Sequence, residues 1–155
     1  MRTFGWTGLA LLFLCAGCGD GGTGPTKRAQ IQLVSGNALS DTVDAPLSQP
    51  LIVVVHDSTG AVVPLGTVVR FQTGPVIDTA SGQSPSGAPP TAFVEGFTSN
   101  TFDVLATGTT DASGRTGVMV KLGMHAGPAS VVVTVPTLGI IDTARFTVQP
   151  GAAST

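Results

Sequence analysis

Between Pro50 and Thr73 the chain reads PLIVVVHDSTGAVVPLGTVVRFQT, two runs rich in β-branched residues on either side of Asp57-Ser58-Thr59-Gly60. Valine and isoleucine lose side-chain freedom in a helix and pack well on a pleated surface, so both runs are expected as strands. The four residues between them have turn chemistry. An Asp side chain accepts from the backbone ahead of it, and glycine takes a positive φ at no steric cost. This stretch excludes a helical fold and points to a β-sandwich.

The rest of the chain repeats the same grammar. Arg28 to Val34 alternates, with Ile31 and Leu33 on one side and Gln30 and Gln32 on the other. Leu51 to His56 is apolar on both faces, and Thr67 to Thr73 places Val69 and Phe71 inward. A second Asp-x-x-Gly turn, Asp111-Ala112-Ser113-Gly114, opens a strand from Arg115 to Leu122 with Val118, Val120 and Leu122 inward. Two more strands follow, Ser130 to Val135 and Ala144 to Val148, the last with Ala144, Phe146 and Val148 inward. Ser35–Gln49, Gly123–Ala129 and Pro136–Thr143 read as loops. No helical period appears after residue 18, so the expected class is all-β: an immunoglobulin-like β-sandwich of about seven to eight antiparallel strands.

Composition agrees. Charged residues make up 10% of the 155, and 21 glycines and 11 prolines supply turns. A net charge of −2 gives no basic field for nucleic acid. Both cysteines, Cys15 and Cys18, lie near the start, so no pair is left to cross-link the folded part.

Those first residues form a unit of their own. Arg2 precedes an apolar run from Phe4 to Leu14, which is too short for a bilayer span of about 20 residues and suits the apolar region of an export signal. Leu14-Cys15-Ala16-Gly17-Cys18 then resembles the lipobox of bacterial lipoproteins, with Ala16 and Gly17 matching its last two positions. Cys15 departs from it, since that family usually has leucine there. The resemblance implies cleavage after Gly17 and lipidation (diacylglycerol and an acyl chain, hence palmitate) at Cys18. The alternative is an ordinary signal peptide and a free thiol. Gly19 directly after Cys18 implies the outer rather than the inner membrane by the Gram-negative sorting pattern; the periplasmic or surface face stays open.

The expected division is 1–17 signal peptide, 18–27 lipidated cysteine and Gly-rich tether, 28–149 sandwich domain with an insertion at 75–101, and 150–155 tail. An up-and-down strand count puts the two Asp turns, Pro136–Thr143 and the tether at one end. Ser35–Gln49, the insertion and Gly123–Ala129 fall at the other. That count depends on a strand near Phe102–Ala106.

PLIVVVHDSTGAVVPLGTVVRF, TTDASGRTGVMVKLG, AGPASVVVTVP and ARFTV occur in the order found in bacterial immunoglobulin-like domains of the invasin and intimin group, which this chain resembles from about Arg28 to Gln149. The resemblance implies an immunoglobulin-like sandwich and a role in adhesion or protein interaction at the cell surface. The family usually forms tandem arrays, whereas this chain has room for one copy.

The insertion is the most individual segment. Ser81–Pro90 is too rich in Pro, Gly and Ser for regular structure, and Phe93, Glu95 and Phe97 follow it. Either the phenylalanines cover an open edge of the sandwich, or the loop binds a partner such as another envelope or host protein. A periplasmic ligand-binding or accessory lipoprotein working through 75–101 is the alternative function.

No catalytic constellation is visible and no cofactor is expected, so the chain does not read as an enzyme. His56 and His125 fall at opposite ends, and no serine sits in Gly-x-Ser-x-Gly. Asp57, Asp111 and Asp142 are the one acidic set that shares an end, and calcium is the metal such oxygens suit; the simpler reading is two turn-formers and one solvated carboxylate. The lone Trp6 lies in the signal and tyrosine is absent; sugar-binding platforms and protein hot spots usually use such rings, so a carbohydrate-binding reading is disfavoured, and a small-molecule ligand is not expected. The membrane, through the lipid, is the expected contact.

Overall fold

The computed structural model describes residues 27–74 and 88–151. In chain order its strands are β1 (Gln30–Ser35), β2 (Ser40–Thr42), β3 (Leu51–His56), β4 (Val68–Thr73), β5 (Ala92–Gly96), β6 (Leu105–Thr109), β7 (Arg115–Leu122), β8 (Gly127–Val135) and β9 (Ile140–Gln149). They form two sheets, ordered β1-β3-β7-β5 and β2-β9-β8-β4-β6. The described residues contain no helix. This is an immunoglobulin-like sandwich, the first sheet in the order of the outer four-stranded layer of that fold and β4, β8 and β9 in the order of its partner layer.

Alternation decides which atoms meet. Leu51, Val53 and Val55 are fully buried, while Ile52, Val54 and His56 on the other face are half-buried. Val69 and Phe71 of β4, Val118, Val120 and Leu122 of β7, and Val131, Val133 and Val135 of β8 are likewise fully buried. Ala144, Phe146 and Val148 of β9 complete one continuous core. A fully buried Val, Leu or Phe side chain contributes on the order of 1.5–3 kcal/mol, enough for a domain of this size to fold without disulfides.

The described residues hold nine strands, where about seven to eight were expected. The loop expected at Ser35–Gln49 contains β2, which pairs parallel to β9 with Ser40 opposite Thr147. The chain reaches it by leaving the first sheet at a register shift between Leu33 and Ser35. Ser35 Oγ donates to the Pro50 carbonyl at 2.8 Å, and Gly36 turns the chain with φ of 77°. Asn37 Oδ1 then accepts from the Arg145 N–H at 2.9 Å, fastening the crossing segment to β9. The loop expected at Pro136–Thr143 is shorter: β9 starts at Ile140, opposite Val135, so a tight turn joins two long strands.

The insertion is also corrected. Ala92–Gly96 is a strand, β5, which pairs with β7 from Ala92 opposite Leu122 to Gly96 opposite Val118. Ala92 and Val94 are fully buried, so β5 belongs to the core. The segment around Gly74 and Thr91 closes on itself: the Thr91 hydroxyl donates to the Gly74 carbonyl at 2.9 Å and accepts from the Ser130 N–H at 3.3 Å. Residues 1–26, which hold the expected signal peptide, Cys18 and all of the expected tether but Lys27, lie outside the described residues, as do 75–87 and 152–155.

The strand pairings distribute most loops as counted, but not the end of the insertion: β5 runs back toward the start of β7, and Phe97 lies beside Asp111 and Arg115 instead of at the far end. Gln30 lies opposite His56, so the chain enters at the end that holds the Asp57 turn. β7 starts and β8 finishes at that same end, which gathers the Asp111 turn and the Pro136–Gly139 turn. β6 supplies the crossing, antiparallel to β4 with Leu105 opposite Gln72 and Thr109 opposite Val68.

Candidate interaction surface

After β5 the chain turns at Gly96, where the Ser99 N–H donates to the Gly96 carbonyl at 2.8 Å. It then doubles back. Val94 and Asp103 exchange backbone hydrogen bonds of 2.7 and 2.9 Å, and the Thr73 N–H donates to the Val104 carbonyl at 2.9 Å. Residues 97–104 therefore connect an edge of one sheet to an edge of the other. A connector held from both sides has few side chains facing the core, and the apolar ones it carries stay in water. Phe97 is 58% exposed, and Phe102, Val104 and Leu105 are exposed as well.

Of the three residues expected at a partner-binding loop, Phe93 and Glu95 sit on the outer face of β5, half-buried, opposite Lys121 and Met119. Phe97 lies one residue past the strand, and Ile52, Thr109, Asp111, Arg115 and Thr116 line a shallow hollow with it. The outer face of β5 and the connector thus share Phe97. Phe102, Val104 and Leu105 went unnoticed in the sequence because they read as part of a crossing strand. Their signal was the spacing of apolar residues among Ser, Asn and Thr.

Between β5 and β6 lies a hollow of about 210 Å³ lined by Val94, Gly96, Thr98, Asp103, Ala106 and Thr107 among others. That is smaller than the about 300–1,000 Å³ of small-molecule sites. Its one carboxylate, Asp103, accepts from the Val104 N–H at 2.6 Å. A broader depression of about 450 Å³ lies beside Thr91, floored by Ala129, Ser130 and Phe146 and rimmed by Arg145.

The structure does not bring the acidic set together. Asp57 Oδ1 accepts from the Thr59 hydroxyl at 2.6 Å, the Thr59 N–H at 2.8 Å and the Ala61 N–H at 3.1 Å. Asp111 Oδ1 repeats the pattern with the Ser113 hydroxyl, the Ser113 N–H and the Arg115 N–H. The Thr59 hydroxyl, then its N–H, holds the Asp57 carboxyl below its usual value, and the Ser113 hydroxyl, then the Arg115 N–H, does so for Asp111. Asp142 is a strand residue of β9, opposite Val133, and accepts from the Thr143 N–H at 2.7 Å. Among the described residues no three His, Cys, Asp or Glu side chains converge on a point. Calcium through Asp57, Asp111 and Asp142 is therefore corrected to two turn anchors and one strand carboxylate.

The histidines are separated by the length of the sandwich. His56 ends β3 with both ring nitrogens buried and without a hydrogen-bond partner among the described residues. His125 is exposed in the turn between β7 and β8 at the far end. Cys18 lies outside the described residues.

No protein-family model matches the chain, and no curated protein matches it. Among solved structures it is similar to an ASH / PapD-like domain of human CEP192 (PapD-like domain 7), at 12% identity and a TM-score of 0.33, over 99% of this chain and 100% of that one.

Proposed function

We propose that this chain is a non-enzymatic bacterial envelope lipoprotein, anchored through Cys18, whose single immunoglobulin-like domain binds a partner protein through the surface centred on Phe97. The observation that carries the reading is the connector between β5 and β6 with the first residue of β6, where Phe97, Phe102, Val104 and Leu105 stand exposed within one short stretch. Exposed apolar groups that gather in one place mark interaction sites, and these four fall within nine residues of chain. Phenylalanine is among the residues enriched at protein interfaces. The anchoring half of the reading is supported by the Phe4–Leu14 run followed by Ala16-Gly17-Cys18. Outer-membrane placement is supported by Gly19.

Two experiments test the halves separately. Cys18→Ser moves the protein from the membrane fraction to the soluble fraction; a variant that stays with the membrane refutes anchoring there. Cross-linking on whole cells, followed by capture, gives a partner that is retained by Val34→Ser, an exposed change elsewhere, and lost by Phe97→Ser with Leu105→Ser. A partner captured equally by all three forms refutes the surface.

A further inference from the structure

We infer that the end of the sandwich from which the N-terminal segment departs is a second contact surface, built to rest on the lipid bilayer with Leu65 at its tip. The inference rests on the anchoring through Cys18 proposed above. Turn tips ordinarily carry polar residues or glycine. Here Leu65 is the second residue of the Pro64–Thr67 turn and is 72% exposed.

The turn is held rigidly. The Thr67 N–H donates to the Pro64 carbonyl at 3.2 Å, and Gly66 takes φ of 87°, the positive value a type II turn needs at its third position. The Gly66 N–H donates to the Thr110 carbonyl at 2.8 Å, and the Thr110 N–H returns a bond of 3.0 Å to the Thr67 carbonyl. The Thr110 side chain, 1% exposed, donates to the Pro64 carbonyl at 2.8 Å and accepts from the Thr67 N–H at 3.0 Å. An apolar side chain is thus presented to water on a pre-organised support. Val62 is exposed on the same connection, and Ile141 lies just past the Pro136–Gly139 turn at this end, 67% exposed.

The path of the chain identifies the occupant. Gln30 pairs with His56, and a Cβ placed on Gly60 would lie 3.0 Å from Lys27 Cδ, so the residues before 27 leave from this end. They include Phe4–Leu14 and Cys18. Nine steps of chain from Cys18 to Lys27 reach at most about 30 Å however they are arranged, so an anchored domain keeps this end close to the bilayer. Contact is then intramolecular, and a small apolar tip suffices where a free protein would need a large one. Lys27, Arg28 and Arg115 are balanced by Asp57, Asp111 and Asp142, so the end selects apolar insertion over attraction to anionic headgroups. Met124, 75% exposed, sits at the opposite end, roughly the 30 Å length of the nine-residue β8 away.

The test uses the full, lipid-processed chain in phosphatidylcholine vesicles that carry a nitroxide on the acyl chains. Ser58→Cys, on the exposed neighbouring turn, bears an environment-sensitive fluorophore. The label loses most of its emission to the nitroxide in the otherwise native protein. Leu65→Ser recovers that emission and Met124→Ser does not. Adding phosphatidylglycerol leaves all three unchanged. A vesicle-bound protein whose label is unquenched, or one whose label is shielded from water without quenching, overturns the inference and leaves anchoring intact; the second result indicates a protein contact, such as a second copy. A chain that does not bind vesicles at all, as Cys18→Ser is expected not to, overturns the anchoring reading and this inference with it.

Discussion

Replacing Thr110 by valine keeps the shape of the side chain and removes only its hydroxyl. That hydroxyl makes two bonds, to the Pro64 carbonyl at 2.8 Å and from the Thr67 N–H at 3.0 Å. The Pro64 carbonyl retains the Thr67 hydroxyl at 2.8 Å, so it is not orphaned. The Thr67 N–H keeps only a longer bond of 3.2 Å. Each lost bond costs about 0.5–1.5 kcal/mol, so Thr110→Val destabilises the domain by about 2 kcal/mol. For a domain of this size that lowers Tm by roughly 6–12 °C. Calorimetry alone does not isolate the hydroxyl, because Thr110→Ser also loses stability, by about 1 kcal/mol, through the missing methyl. Amide exchange separates the two. Thr67 and Gly66 exchange faster in Thr110→Val and stay protected in Thr110→Ser. A valine variant with unmoved Tm and a protected Thr67 amide would show that backbone bonding alone holds the turn that displays Leu65.

Other perturbations follow from the same geometry. The Asp57 and Asp111 carboxyls sit below 3.8 in the folded chain, so their contribution is fully present above the unfolded value of about 3.9 and is lost as pH falls through the folded value. Urea unfolding should thus be level above about pH 5 and weaken below about pH 4, with a shallower fall in Asp111→Asn; equal slopes would mean other carboxyls set the acid limb. Gly36 and Gly66 both have positive φ, yet a Cβ at Gly36 would lie 2.5 Å from the Pro50 carbonyl oxygen and one at Gly66 would meet nothing within 4 Å. Gly66→Ala should cost about 1 kcal/mol from backbone conformation, and Gly36→Ala about 2–4 kcal/mol because the crossing between sheets must shift too. Similar losses would contradict the crowding at Gly36. Deleting Ser81–Gly87 should leave Tm unchanged, since Gly74 and Thr91 are bonded directly to each other; a drop of more than a few degrees would tie that segment to the core.

What could be read in advance was local. Alternation in β4, β7, β8 and β9 marked the buried faces, because side chains on a strand point to opposite sides whatever the partner strand is. The two Asp-x-x-Gly turns were legible for a similar reason: the carboxylate bonds atoms two to four residues away. β2 and β5 were missed. β2 is short and polar, and its pairing with β9 reaches across more than a hundred residues of chain. β5 follows a Pro- and Gly-rich segment and looked like part of it, although Val94 is as buried as any core valine.

The candidate surface shows the same division. Phe97 was singled out because a large apolar residue in a polar loop is conspicuous. Phe102, Val104 and Leu105 were not, since only the Val94–Asp103 pairing turns that segment outward. Leu65 was not singled out in the sequence at all. Thus the sequence by itself determined that the chain is layered β structure, which faces of its long strands are dry, and where its acidic turns fall, all of them consequences of bonds and sterics between near neighbours. Only the tertiary structure decided that the connector joins the two sheets and that Leu65 points to solvent, because Thr110, 45 positions further along, must fold back to hold the Pro64 and Thr67 backbone. Periodicity carries no record of such a bond.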